Sequence, residues 1–443
     1  MKKVLIVSYY FPPAGGSAVQ RVLKFVKYLP SFGWQPVVLT AGEKSYVLRD
    51  DSLMDEIPAG VKVYRVPAPD PYGWYGRGGQ DADAGPADLS AIAVGEGQRG
   101  SLLNRLGLIV RSLFFIPDAR IGWLPFALWK GRQIIRREKI GVIFVTSPPF
   151  TAALVGGLLS WFTRLPWVSD YRDPWTQAYF YFPRPRIPRS FEAFLERRLL
   201  ESADRLISIN GRILDGLRNA YGSRLDGKEI VIPNGYDPED FEGLEPVKDD
   251  FFSITYTGTL NTKMKPSYFL EAVAQLAAQS PDFMNRVRLD FIGRMSADAA
   301  VLFDDRRLRG TVRLTPHLSH KACLRRTVGA DLLLLLIPDW PGNALIVTGK
   351  LFEYLRSGRP VLCLSDCGEA ADIVQDAGAG FTVPAKDIDS IKAVVWVCYE
   401  RWKRGESLLK EPIRRDRIQE YDRRRTCERL ASVLDEVEGM AGR

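Results

Sequence analysis

Histidine is almost missing from this 443-residue chain, which has only His317 and His320. Cysteine is scarce as well: Cys323, Cys363, Cys367, Cys398 and Cys427 are odd in number and include no CxxC pair. Tetrahedral zinc sites draw on such pairs and on histidine, so the composition argues against one and for reduced, mostly buried thiols in a cytosolic protein. Glycine (38) and proline (29) are far too few for a collagen-like repeat and fit a chain with many tight turns. With 46% hydrophobic and 26% charged residues, the chain is neither mainly disordered nor a multi-span membrane protein. Its length favours two or three domains over one. Lys and Arg (61) exceed Asp and Glu (53) by 8, a modest excess whose location matters more than its size.

Long apolar runs are nearly absent too, and two segments imitate them. Met1-Lys2-Lys3 followed by the apolar residues 4–10 resembles a signal peptide, but prolines and glycines follow at once without a small-residue cleavage site. A buried parallel strand running into a glycine loop fits better. No charge occurs between Lys139 and Arg164, a length that could span a bilayer. Ser147-Pro148-Pro149 would break a helix there, so 141–146 reads as a strand, 147–150 as a loop and 151–162 as a core-facing helix.

What is present is alternation. Residues 4–9 read as a strand, 18–29 as a helix with an apolar stripe, and 36–40 as the next strand. Further strands at 142–146, 167–170, 206–209 and 230–232 continue the series, and Pro233-Asn234-Gly235 closes it with a turn signature. A second series runs from 253–256 through strands at 288–292, 312–314, 331–337 and 360–364, with helices at 268–278, 321–328, 349–357 and 369–377. The implied architecture is two doubly wound α/β domains: 1–236, a linker at 237–250, and 251–400. Within the first, 76–100 reads as a mobile surface loop, and 401–443 as charged helices that pack back on the N-terminal domain.

Three constellations could carry chemistry. Phe11-Pro12-Pro13-Ala14-Gly15-Gly16-Ser17 joins the first strand to the first helix, where paired glycines allow close backbone approach to a polar ligand at a helix N-terminus. Asp170, Arg172 and Asp173 follow a buried strand and so stand at its carboxyl end, where open α/β sheets keep their sites. The simpler alternative, an ion pair that merely pins the loop, carries less weight than a site. Asn343 to Leu355, after an apolar strand, places Thr348, Gly349 and Lys350 at a helix start that could meet a diphosphate, with Glu353 one turn on to accept both hydroxyls of a ribose.

Together with Tyr256-Thr257-Gly258-Thr259-Leu260 and 349–360, these segments resemble the family 4 glycosyltransferases along nearly the whole chain. The resemblance implies the GT-B fold, two Rossmann-like doubly wound parallel-sheet domains facing across a cleft. It implies a nucleotide-sugar donor held by Glu353, Lys350, Gly349, Thr348, Asn343, Gly258 and Thr259. Lys263, Lys265 and Arg294 are further candidates for the diphosphate. Asp173, Arg172, Asp170 and Lys350 stand for catalysis, and Gly15, Gly16 and Ser17 for the acceptor side of the cleft. It also implies retention of anomeric configuration. Two positions depart from the family pattern: Leu345 replaces a first glutamate and Thr259 the usual arginine. No Asp-x-Asp pair stands out in a plausible loop, so no metal or other cofactor is expected and fixed cations must stabilise the leaving diphosphate.

The expected acceptor is a glycan or lipid-linked molecule in cell-surface polysaccharide or glycolipid synthesis. The rivals are a sugar-nucleotide epimerase of the same fold and a non-catalytic sugar-nucleotide-binding subunit. Residues 101–140 carry eight basic against two acidic residues, interleaved with Phe114, Phe115, Trp123, Phe126 and Trp129. Such a segment suits an anionic membrane on the cytoplasmic side, although a core stripe with a solvated face explains it equally well. No nucleic-acid reader motif accompanies the charge.

Overall fold

The computed structural model describes residues 1–46, 48–69, 116–177, 186–248, 250–261, 264–316, 318–338 and 342–441, the side chain of Ser17 excepted. The expected loop at 76–100 and the basic stretch 101–115 lie outside them. The chain divides into two compact units, 1–233 with 424–443, and 234–423.

Unit 1 is built on seven parallel strands: β1 (Lys2–Val7), β2 (Trp34–Ala41), β3 (Lys62–Val66), β4 (Val142–Ser147), β5 (Trp167–Tyr171), β6 (Arg205–Ser208) and β7 (Glu229–Val231). Their order is β3-β2-β1-β4-β5-β6-β7. Val4, Leu5, Ile6 and Val7 are all fully buried, which requires cover on both faces of the sheet. The crossover helices supply it: α1 (Ser17–Tyr28), α2 (Leu124–Glu138), α3 (Thr151–Thr163), α4 (Arg186–Ser202) and α5 (Gly211–Tyr221). Helix α1 buries Val19, Val22, Leu23 and Val26, one side of a 3.6-residue repeat, and the chain turns into β2 through Gly33 at φ 84°.

Unit 2 has six parallel strands, β8 (Phe252–Thr257), β9 (Val287–Ile292), β10 (Val312–Thr315), β11 (Leu332–Leu336), β12 (Val361–Leu364) and β13 (Gly380–Val383), in the order β10-β9-β8-β11-β12-β13. Strand β11 shows why the sheet is doubly wound. Leu332, Leu334 and Leu336 enter one core cluster, while Leu333, Leu335 and Ile337 enter another. Side chains alternate along a strand, so five consecutive leucines demand two dry faces. Helices α6 (Ser267–Gln279), α7 (His320–Gly329), α8 (Gly349–Ser357), α9 (Glu369–Asp376) and α10 (Ile388–Lys403) provide them.

The chain then returns to unit 1. Helix α11 (Arg423–Ala441) places Cys427, Leu430, Leu434 and Val437 in the unit 1 core. Lys2 pairs with Asp435 at 2.8 Å and with Glu438 at 2.6 Å. Three readings from sequence need adjustment. Residues 401–423 stay with unit 2, where Ile418 joins a core cluster, so only the last helix packs on unit 1. Segment 237–250 belongs to unit 2 and includes a short turn at Pro238–Phe241 rather than forming a plain linker. Helix α3 is not wholly core-facing: it ends on Trp161 and Phe162, which are exposed.

One buried ion pair ties unit 1 together. Arg21, on α1, meets Asp170, on β5, through Nε at 3.0 Å and Nη2 at 2.8 Å, and donates to the carbonyls of Ile232 and Pro233 at 2.9 Å. Both side chains are almost completely buried. Replacing Arg21 with methionine leaves the Asp170 carboxylate uncompensated in the interior. The expected cost is on the order of 3–5 kcal/mol, read as a lower urea midpoint for the unit 1 transition.

Candidate active site

In unit 2 the strand order changes direction between β8 and β11, and open parallel sheets take their ligands outside the carboxyl ends of strands at such a point. The loops after β8 and β9 meet there through two glycines. Gly258 has φ 131° and Gly293 φ 138°, values that L side chains rarely adopt. A Cβ on Gly293 would stand 2.3 Å from the Gly258 carbonyl oxygen. The main chain locks this contact: Gly258 N–H donates to Ile292 at 2.8 Å, and Leu260 N–H to the carbonyl of Arg294 at 2.9 Å.

The notch at Gly258 is filled by a cation. Lys350, the second residue of α8, sends its Nζ so close that a Cβ on Gly258 would lie 2.3 Å from it. That ammonium donates to the Tyr256 hydroxyl at 3.0 Å and sits 4.1 Å from the centre of the Tyr256 ring. Tyr256 passes its own proton to the Thr259 carbonyl at 2.9 Å, which leaves the phenol oxygen to accept from Lys350. Among the described residues no carboxylate forms an ion pair with Lys350. Burial therefore pushes its pKa down to about 8, with the charge of Glu353 opposing part of the shift.

Glu353 lies one turn along α8. Its Oε1 is 2.9 Å from Nε2 of His320, at the start of α7, and both side chains remain 30% exposed. Cys323, one turn along α7, has its thiol pushed up to about 11 by burial and by Glu353. Behind them Tyr354 clamps α8 to β8: its hydroxyl accepts the Thr257 N–H at 2.9 Å and shares a 3.0 Å hydrogen bond with Thr257 Oγ1.

Thr348 caps α8, and its Oγ1 is shielded from solvent without a hydrogen-bond partner among the described residues. Gly349 faces open space. The first N–H groups of a helix lack intrahelical partners and carry the positive end of its dipole. The end of α8 thus collects backbone donors, an orphan hydroxyl, an ammonium and a carboxylate, a set suited to an anion linked to a diol.

The structure brings Lys350, Glu353, Gly258 and the helix start at Thr348 and Gly349 together. Thr259 joins them through its carbonyl, and its side chain is exposed. Arg294 flanks the glycine loops through its carbonyl, while its guanidinium is exposed and unpaired among the described residues. Lys265 is exposed, and Asn343 lies in the short Asn343–Leu345 turn; no hydrogen bond or ion pair joins either to Lys350. Lys263 lies outside the described residues.

In unit 1 the corresponding reversal falls between β1 and β4. Gly16 precedes α1 at φ 98° and is exposed, whereas Gly15 is buried with its N–H bonded to the Leu48 carbonyl at 2.9 Å. The side chain of Ser17 lies outside the described residues. Arg172 donates to the carbonyls of Ser147 (3.2 Å), Pro148 (2.8 Å) and Ala18 (3.4 Å), so it splices the loops around this end of the sheet.

The catalytic expectation for Asp170 is corrected by its surroundings. Arg21 engages both of its oxygens, Thr146 Oγ1 donates to Oδ2 at 2.8 Å, and the residue is fully buried. These contacts make it the buried counter-ion of Arg21. Asp173 differs: it is half-buried, has no hydrogen-bond partner among the described residues, and burial raises its pKa despite the opposing charge of Arg172. His320, Cys323 and Arg21 escaped the sequence reading, since each meets its partner on a distant segment, and Tyr256 was visible only as part of its glycine motif.

A side chain at Gly258 would compete with the ammonium for the same space. Gly258→Ala is expected to expel the Lys350 head and strain the loop, lowering stability by about 1–3 kcal/mol on denaturant titration.

Two family models cover most of the chain. A glycosyl transferase 4-like domain matches residues 16–235, and the glycosyl transferases group 1 domain matches 252–400. No curated protein sequence matches the chain significantly. Among solved structures, a glycosyltransferase from Rickettsia africae aligns over 98% of each chain at 12% identity and a TM-score of 0.65. Sucrose-phosphate synthase from Thermosynechococcus elongatus aligns over 99% of this chain and 100% of its own at 14% identity and 0.66. UDP-GlcNAc 2-epimerase from Methanocaldococcus jannaschii covers 98% and 100% at 12% identity and 0.53. The fold is common to all three, and the two domain models, met in this order on paired parallel-sheet units, make the chain a member of the family 4, GT-B-fold glycosyltransferases.

Proposed function

We propose that this glycosyltransferase retains anomeric configuration, works without a bound metal, and moves a sugar from a nucleotide-sugar to a glycan or lipid-linked acceptor in cell-surface polysaccharide or glycolipid synthesis on the cytoplasmic side. The observation that carries the reading is the half-buried Lys350 ammonium, which has no carboxylate partner among the described residues and stands at the open end of α8 one turn from Glu353.

In the transfer, the bond from the sugar carbon to the diphosphate breaks and a bond to the acceptor hydroxyl forms. The hydroxyl proton is lost, and negative charge collects on the departing phosphate. Lys350, the N–H groups of the α8 start and the Thr348 hydroxyl receive that charge, with Arg294 and Lys265 as outer cations. Such preorganised donors act without reorganising as the charge develops. Glu353 accepts the two ribose hydroxyls, and His320 holds its carboxylate in place. Asp173 and Arg172 keep orienting and charge roles on the acceptor side with Gly15 and Gly16. For Asp170 too an orienting and charge role is favoured over a covalent one, which its contacts with Arg21 and Thr146 support.

Donor hydrolysis separates this reading from its rivals. Slow release of nucleoside diphosphate supports a transferase, whereas binding without turnover supports a non-catalytic subunit, and an altered sugar on intact donor supports an epimerase. Glu353→Ala is expected to abolish transfer while the protein stays folded by circular dichroism. His320→Ala is expected to raise the donor KM several-fold with little change in kcat. Lys350→Met should lower kcat by a factor of hundreds, the roughly 3–4 kcal/mol typical of one lost donor.

The pH dependence has a definite sign. Lys350 is charged below about 8 and neutral above, so donor affinity should fall as pH rises past that value, and Lys350→Met should flatten the profile. Stability of the free protein should move the other way between about 8 and 10.5, since there the unfolded chain binds the proton that the folded chain gives up.

A further inference from the structure

The outer surface of α2 and α3 has a composition that the unit 1 core does not explain. The two helices pack through Gly131, whose Cα faces Leu159. Their solvent side carries Phe126, Trp129, Trp161 and Phe162, with Trp161 73% and Trp129 65% exposed. Arg132 on α2 stacks on the Phe162 ring of α3 at 5.0 Å, and Trp161 meets Phe162 at 4.8 Å between ring centres, so a cation of one helix is joined to the exposed aromatics of the other.

The exposed charges that these two helices carry are of one sign. Lys130, Arg132, Arg136, Arg137, Lys139 and Arg164 lie on these helices or close their ends. The only carboxylate on either helix is Glu138, which is turned inward: Lys62 holds it at 2.8 Å and Tyr64 at 2.8 Å, and it is buried. Exposed indoles and phenyls set among guanidinium and ammonium groups match the boundary between anionic headgroups and acyl chains, where aromatic rings settle and cations meet phosphate.

We propose that the α2–α3 face docks on an anionic phospholipid bilayer, with Trp129, Trp161 and Phe162 entering the headgroup layer and the arginines seated on lipid phosphates. The inference gives the lipid-linked acceptor of the proposed function a place to be met, and its test needs neither donor nor acceptor. Vesicles of phosphatidylcholine alone and of phosphatidylcholine with phosphatidylglycerol are sedimented with the full chain at low and high salt. Binding is expected to the anionic vesicles only and to weaken with salt. Trp161→Ser with Phe162→Ser, and separately Arg132→Glu with Arg136→Glu, should each lower the partition coefficient at least about tenfold without changing donor hydrolysis or thermal melting. Quenching of tryptophan emission by brominated phosphatidylglycerol in the unmutated protein is the mutation-free counterpart. Absence of binding at low salt, equal binding by the variants, or a dimer on light scattering that Trp161→Ser dissolves would overturn the proposal, the last by assigning the face to a second copy. Loss of donor turnover with vesicle binding intact would count against the enzymatic reading alone.

Discussion

An ammonium group kept largely from water beside a phenol and a glycine, with no carboxylate paired to it among the described residues, is an expensive arrangement. Unit 2 is organised around maintaining it at Lys350. Gly258 must lack a side chain so that the head fits, and Gly293 must lack one so that the loop bearing Gly258 can approach. Tyr256 turns its hydroxyl proton toward Thr259 and thereby offers its oxygen, while Tyr354 fixes the helix to the strand from behind. The cost of burying this charge uncompensated falls when an anion arrives, which makes the free state a poor resting place and the bound state a good one. Binding energy at such a site is therefore directed at negative charge rather than at apolar surface.

Unit 1 handles a buried cation in the opposite way. Arg21 is fully matched by Asp170 and by two carbonyls of the chain leaving β7, and Arg172 spends its donors on the carbonyls of Ser147, Pro148 and Ala18. These guanidinium groups are bolts. They tie the ends of β4 and β5 and the chain leaving β7 to α1, and Asp173 beside them has no hydrogen-bond partner among the described residues. Within one short motif, position along the strand decides which acid is structural and which stays available.

Much of this architecture was legible in the residues because parallel sheets write a strong signal. The runs at 4–7 and 332–336 are apolar at every position, and α8 begins and ends where its glycine and serine suggest. Strands β3 and β13 were not read, since their residues are largely half-buried and edge positions lack the continuous apolar signature. Lys350 and Glu353 could be singled out from their spacing behind a strand, whereas His320 arrives from 33 residues away and carries no local mark. The partner of Asp170 is illegible for the same reason, since Arg21 stands 149 residues upstream. The apolar run at 151–162 hid the exposure of Trp161 and Phe162, because periodicity cannot say where a helix outruns the sheet that covers it.

The closing helix has an implication for biogenesis. The hydrophobic interior of unit 1 is completed by Cys427, Leu430, Leu434 and Val437, which leave the ribosome only after all of unit 2. Translation of that intervening stretch takes about 10–40 s at common elongation speeds. During this interval the earlier-made half carries an open seam against α1 while the later-made half already holds every strand it needs. The amino-terminal unit therefore cannot close its core until the last helix of the chain has been made.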